Sequence, residues 1–264
     1  MRRSSRRRWF YGAFLALMII GLADLALAQR PYQMVYEPTV VNVGYDGRFT
    51  FARLKYSVAP GGYYYYGMPA WAHGLPRAED NLLEILHAIT AVPVRRETAN
   101  VFALDDPELM KYPVAYMTEA GYWQLTNREA AAFRAYLLKG GFVIFDDFRP
   151  PPRGGGGWDT FEANMRRILP EARIVDLTPS DPIFHCFFDI ETLDIIPQDY
   201  DLGRPIIRGI YENNDRTRRL IAVINFNTDV ANFWEFSATG PKPVDETNEA
   251  YKLGVNYVIY GITH

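Results

Sequence analysis

The sequence predicts an α/β protein built on a doubly wound, mostly parallel sheet with an antiparallel extension, and three observations carry that prediction. Short apolar or alternating runs that read as strands are separated by stretches with a 3.6-residue apolar stripe that read as helices, which is the pattern of a parallel sheet with helices on both faces. The run Phe142-Val143-Ile144-Phe145 follows a glycine pair, Gly140-Gly141, and stops at Asp146-Asp147-Phe148-Arg149, as a buried central strand would. Residues 206–211 and 220–225 flank Asn213-Asn214-Asp215, a turn that calls for a hairpin and therefore an antiparallel pair.

The elements follow in order. The chain opens with Arg2, Arg3, Arg6, Arg7 and Arg8, continues apolar from Trp9 to Leu22 and reaches Ala26-Leu27-Ala28, which is the plan of a secretory signal peptide over residues 1–28. Ser5-Arg6-Arg7-Arg8-Trp9-Phe10 also fits a twin-arginine signal loosely. The apolar run falls short of the roughly 20 residues a spanning helix needs, so no stable membrane span is expected after cleavage. Residues 29–48 contain Pro31 and Pro38 and read as an N-terminal arm, and residues 49–264 as a single domain. Residues 49–56 alternate apolar and polar side chains as a first strand, ahead of the glycine-bracketed aromatic loop Tyr63-Tyr64-Tyr65-Tyr66. Asp80 is placed to cap a helix striped by Leu82, Leu83, Leu86 and Ile89. Strands near 100–104 and 112–118 come next, the second ending at Glu119. Thr126 and Glu129 form a capping box for a helix that carries Ala130, Phe133 and Leu137 and stops at Gly140. After the central strand, residues 150–158 join three prolines to four glycines and end in Trp158, which suggests a flap above the strand ends. Asp159 starts another helix, residues 172–177 a strand, and Ala250, Leu253, Tyr257 and Val258 stripe a closing helix.

Charge removes some functions. The chain has 28 basic and 31 acidic side chains; without the five arginines and one aspartate of residues 1–28 it has 23 and 30, a formal charge of −7. So acidic a chain does not suit nucleic acid or an anionic membrane surface. With Cys186 as the single cysteine, no intramolecular disulfide can form.

Chemistry is expected at the carboxyl ends of the strands, because that is where open α/β sheets place their crevice. Successive strand residues face opposite ways, so at most one of Asp146 and Asp147 enters that crevice, with Arg149 as its partner. Glu119, Trp123, Asn227 and Asp229 are the other candidate ligand contacts, and Trp158 the ring that could close over them. His185, among Phe184, Phe187 and Phe188, reads as a core histidine before a catalytic one, and Cys186 beside it points away. No zinc spacing, phosphate loop, dinucleotide fingerprint or Gly-x-Ser-x-Gly elbow occurs, so no cofactor and no metal site is expected.

Six blocks in order carry a resemblance: Phe51-Ala52-Arg53-Leu54-Lys55-Tyr56, Leu104-Asp105-Asp106-Pro107-Glu108-Leu109, Tyr112-Pro113, Gly140-Gly141-Phe142 with Asp146-Asp147, Asp181-Pro182-Ile183-Phe184, and Leu253-Gly254-Val255-Asn256-Tyr257-Val258-Ile259-Tyr260. They resemble the bacterial DUF 4159 family. That family is similar to the class I glutamine amidotransferase-like and ThuA-like superfamily, so the resemblance implies a flavodoxin-like sheet. It also implies an envelope setting beside MoxR-type ATPases and von Willebrand A-type proteins. Where active amidotransferases carry a cysteine on a tight turn after a central strand, Asp146-Asp147 stand here, and glutaminase chemistry lacks its attacking group. The function expected is an exported, periplasmic or secreted, non-catalytic module that binds a polar ligand or a protein partner. The alternative is an envelope hydrolase acting on carbohydrate or peptide, using Asp146 or Asp147 with His185 or Glu119.

Overall fold

A computed structural model describes residues 35–64, 67–96, 99–148, 157–197 and 203–264. Residues 1–28, expected as a signal peptide, the first residues of the expected arm, Tyr65, Tyr66, Arg149 and residues 150–156, expected as a flap, lie outside them. Along the described chain the strands are β1 (Ala52–Lys55), β2 (Ser57–Val58), β3 (Asn100–Ala103), β4 (Val114–Thr118), β5 (Trp123–Gln124), β6 (Phe142–Phe148), β7 (Ile174–Asp176), β8 (Ile206–Tyr211) and β9 (Leu220–Phe226). The α-helices are α1 (Arg77–Ile89), α2 (Asn127–Leu138), α3 (Trp158–Ile168), α4 (Val230–Glu235) and α5 (Val244–Thr263).

Seven strands form one sheet in the order β3-β1-β4-β6-β9-β8-β7, while β2 and β5 pair apart. The first five are parallel, and β8 and β7 extend the sheet antiparallel. Numbered along the chain, the parallel strands stand 2-1-3-4-5, the flavodoxin-like order, with its reversal between β1 and β4. The fold is doubly wound. Tyr116, Phe142, Ile144 and Val223 face α1, α4 and α5 in one apolar layer. Ala115, Met117, Val143, Phe145 and Ile224 face α2 and α3 in the other. Each fully buried side chain of this kind contributes about 1.5 to 3 kcal/mol, which is why a strand covered on both faces reads as an unbroken apolar run.

Local signals set most boundaries. The capping box forms as expected: the Glu129 amide donates to Thr126 Oγ1 at 3.2 Å, and Glu129 Oε2 accepts the Thr126 amide at 2.8 Å. Two starts differ from expectation. Helix α1 begins at Arg77, because the Asp80 amide already donates to the Pro76 carbonyl at 3.0 Å, so Asp80 lies in the first turn instead of capping it. Helix α3 is preceded by Gly157 at φ +65°, not capped by Asp159. A Cβ on Gly157 would lie 2.1 Å from Gly121 Cα, so this start is packed backbone to backbone on the turn after β4, and only glycine fits. Asn42 in the arm exchanges two hydrogen bonds with Val101 at 2.8 Å each, occupying the outer edge of β3. Among the described residues no helix is long and apolar enough to cross a membrane.

Candidate functional site

Four chain segments meet at the carboxyl ends of the parallel strands. The loop after β1 brings His73, the end of β4 brings Glu119, the end of β6 brings Asp147 and the segment after β9 brings Asp229. Glu119 and Asp147 adopt left-handed backbone, at φ +49° and +60°, as does Asn227 after β9 at +60°. L-residues hold that conformation at a cost of about 1 to 3 kcal/mol, and such residues cluster at functional sites.

A bulge in β6 separates the two neighbouring aspartates. Phe145 pairs with Ile224 and Phe148 with Phe226, so Asp146 and Asp147 together stand opposite Asn225 alone. Asp146 keeps the face of Ile144 and is fully buried. Its carboxylate accepts from Tyr116 Oη at 2.9 Å, Asn225 Nδ2 at 3.0 Å, and the Val230 and Ala231 amides at 3.1 and 2.9 Å. Asp146 thereby holds the N-terminus of α4 against the sheet. Burial pushes its carboxyl up to about 6, against the pull of those four donors. The extra residue, Asp147, turns instead toward His73, whose Nδ1 lies 3.3 Å from Asp147 Oδ2.

The same Nδ1 lies 3.1 Å from Glu119 Oε1 and 3.9 Å from Asp229 Oδ2. The His73 side chain is 24% exposed while those of Glu119, Asp147 and Asp229 are at most 3% exposed, so the imidazole is the face the cluster shows to solvent. Burial alone would lower the His73 pKa. The Asp147 hydrogen bond and the charges of Asp229, Asp147 and Glu235 overcome it and raise the value to about 9. One oxygen each from Asp147 and Asp229 and one ring nitrogen of His73 all lie within 4.8 Å of one another, a donor set able to hold a metal ion.

Behind the cluster lies a second polar layer. Arg53 on β1, fully buried, pairs through Nε and a terminal nitrogen with Glu79 Oε1. Its remaining nitrogen donates to the Trp71 and His73 carbonyls at 3.2 and 3.1 Å, fixing the loop that carries His73. Burial raises the Glu79 pKa, and Arg53 opposes it. The guanidinium also lies 4.6 Å from the centre of the Tyr116 ring. Tyr56 donates to the Thr118 and Glu119 carbonyls at 3.0 and 2.7 Å, holding the left-handed turn of Glu119. Tyr64, from the tyrosine loop, packs on the His73 ring with centroids 5.2 Å apart.

The remaining sequence candidates divide. Asp229 caps α4 by accepting the Asn232 amide at 3.0 Å, and Asn227 Nδ2 donates to the Gly203 and Arg204 carbonyls at 2.8 and 3.2 Å. Trp123 is buried in the core, edge-on to Phe133, and is not offered to a ligand. The Trp158 ring packs on Phe148, Phe161 and Phe226 and lies under the Arg208 guanidinium, so it anchors the start of α3. His185 is not a core histidine. Its side chain is 38% exposed, Nδ1 pairs with Asp189 and Nε2 meets the Pro179 carbonyl at 2.5 Å. Its ring therefore serves a local turn. Burial pushes the Cys186 thiol up to about 11, which leaves it protonated and poorly nucleophilic at neutral pH.

A family profile described as "Domain of unknown function (DUF4159)" matches residues 50–262, nearly the whole described domain. The chain belongs to the DUF4159 family. None of the curated proteins compared with it matches. The profile covers all four segments of this DUF4159 domain that reach the His73 cluster. His73 itself escapes sequence reasoning: it stands alone in a loop with no ligand spacing around it. The usable signal is position, since that loop follows the strand at which the sheet order reverses.

Proposed function

We propose that this DUF4159 domain is an exported, amidotransferase-like module that performs no glutaminase chemistry and binds a polar ligand, or a polar group of a protein partner, at the carboxyl ends of its strands. One observation carries the reading: three carboxylates from three separate strand ends converge on His73. Such a recessed acidic crevice favours a cationic or strongly donating group, because burial strengthens the attraction that water would screen. The left-handed positions at the carboxyl ends of β4 and β6 are Glu119, just after β4, and Asp147, in the bulge of β6, so these strand ends present carboxylates and no thiol. The resemblance to envelope systems with MoxR-type ATPases and von Willebrand A-type proteins suggests where a partner would come from. The start of the chain supports the reading of export, and a mature protein beginning at Gln29, read by mass spectrometry, would bear it out.

Thermal shift of the full-length protein against cationic and polar ligands tests binding. A ligand present at 100 times its dissociation constant should stabilise the fold by about 2.7 kcal/mol. Asp147→Asn should abolish that shift; a variant that keeps it would put the binding site elsewhere.

The second reading, an envelope hydrolase acting on carbohydrate or peptide, draws on His73 standing between Glu119 and Asp147, where an acid and a base could be held together. His73 replaces His185 as its acid, and loss of turnover in a His73→Gln variant that still folds is the result it requires.

A further inference from the structure

We propose that the crevice is a divalent metal site, with His73 Nδ1 and one carboxylate oxygen each from Asp147 and Asp229 as protein ligands and Glu119 as a fourth donor beside them. The proposal rests on the reading of the crevice as a binding site and says what occupies it.

The geometry supports it in two ways. Carboxylate oxygens from three separate segments surround one ring nitrogen at 3.1, 3.3 and 3.9 Å, and a cation of charge +2 can bond to several such donors at once. With metal–ligand bonds of about 2.0 to 2.2 Å, neighbouring donors in a tetrahedral or octahedral shell lie about 3 to 3.5 Å apart, a spacing from the ring nitrogen that Glu119 and Asp147 already meet and that Asp229, at 3.9 Å, would meet on a small approach. The donors come from the β1 loop, β6 and the segment before α4, so the site does not depend on one flexible loop.

The surroundings resemble those of metal ligands. Arg53 holds the loop by the Trp71 and His73 carbonyls, Tyr64 packs on the His73 ring, and Asn232 donates its amide to Asp229 Oδ1 and its side-chain nitrogen to Oδ2, the oxygen that lies 3.9 Å from His73 Nδ1. Outer contacts of this kind orient ligands before a metal arrives. One imidazole with carboxylates defines the class as a borderline divalent ion such as Zn²⁺ or Mn²⁺, in preference to Mg²⁺ or Ca²⁺, which favour all-oxygen shells.

The test titrates the chelator-treated full-length protein with Zn²⁺, Mn²⁺, Mg²⁺ and Ca²⁺ separately by calorimetry. One Zn²⁺ or Mn²⁺ site is expected, weakened about 100-fold or more in both Asp147→Asn and Asp229→Asn and unchanged in Asp181→Asn at the far end of the sheet. Absence of saturable binding up to about 1 mM overturns the proposal, as does an affinity that survives in either crevice variant. Since Asp229 also caps α4, a measurement without variants stands beside it: Mn²⁺ should broaden the ring signals of His73 at concentrations that spare His185 and His264, and equal broadening of all three overturns the site. Failure of the metal leaves the binding reading standing if a polar ligand still needs Asp147. If neither metal nor ligand depends on Asp147, both readings fall.

Discussion

The two ends of the sheet treat buried aspartates in opposite ways. At the amino ends of the parallel strands, beside the β8–β9 turn, Asp181 is surrounded by donors: Tyr211 Oη at 2.6 Å, Arg216 at 2.9 and 3.1 Å, and the Thr178 amide at 2.6 Å. Burial would raise its pKa, but the Tyr211, Thr178 and Arg216 interactions overcome it and hold the carboxyl below the usual range. At the carboxyl ends, Glu119, Asp147 and Asp229 crowd a single ring nitrogen. Burial is nearly equal at the two ends, so burial does not distinguish scaffold from site. The grouping does: Asp181 stands alone among its own donors, while Glu119, Asp147 and Asp229 are drawn from three strand ends around one imidazole.

Asp146 tests that rule most severely, because it lies at the carboxyl end yet receives four donors. Asp146→Ala should cost about 3 to 5 kcal/mol in denaturant unfolding, since it leaves the Val230 and Ala231 amides, Tyr116 and Asn225 buried without their acceptor. A loss below about 1 kcal/mol would assign Asp146 to the site and break the comparison.

The next effect is smaller and has a sign in pH. Asp181→Asn should lose about 1 to 3 kcal/mol at neutral pH. Because the folded pKa of Asp181 is depressed, its contribution is present above the unfolded aspartate value and fades as pH falls through the lower folded one. Wild type and variant should converge in acid. His73 gives the opposite limb in chelator-treated protein: with its pKa raised from 6.5 to about 9, its contribution is complete below 6.5 and lost as pH rises through about 9. His73→Gln should flatten that alkaline loss, and an unchanged profile would mean that the ring is not paired in solution.

The smallest change is a gain. Asp147→Gly relieves a left-handed residue and should leave stability unchanged or raise it by up to about 1 kcal/mol, while removing binding. Clear destabilisation would show Asp147 to be scaffold, like Asp146.

Sequence showed the sheet well because a strand covered on both faces must be apolar throughout, and the hairpin because Asn213 and Asn214 accept φ of +56° and +58°. Helix α4 stayed hidden: it has six residues, too few for a stripe, and its cap Asp229 sat in a polar cluster that also fits a turn. Asp147, Glu119 and Asp229 were singled out from the sequence and do stand together at the strand ends, but the histidine among them was not singled out. His185 drew notice through its aromatic neighbours, yet Phe187 is 43% exposed, so that apolar run marks no core. Flanking residues speak to burial within one segment. Convergence of four segments on His73 depends on strand order, which no local pattern contains.

The bulge in β6 has a consequence for how such a site arises and disappears. Strand side chains obey a parity rule, and one additional residue inverts it: Asp147 leaves the plane of the sheet while Phe148 resumes the place in the apolar layer that odd-even counting would have denied it. Deleting that one residue would restore regular pairing with β9 and keep every apolar contact in register. Within this fold, then, loss of a single codon at the bulge would take one carboxylate away from His73 while leaving both apolar layers in place.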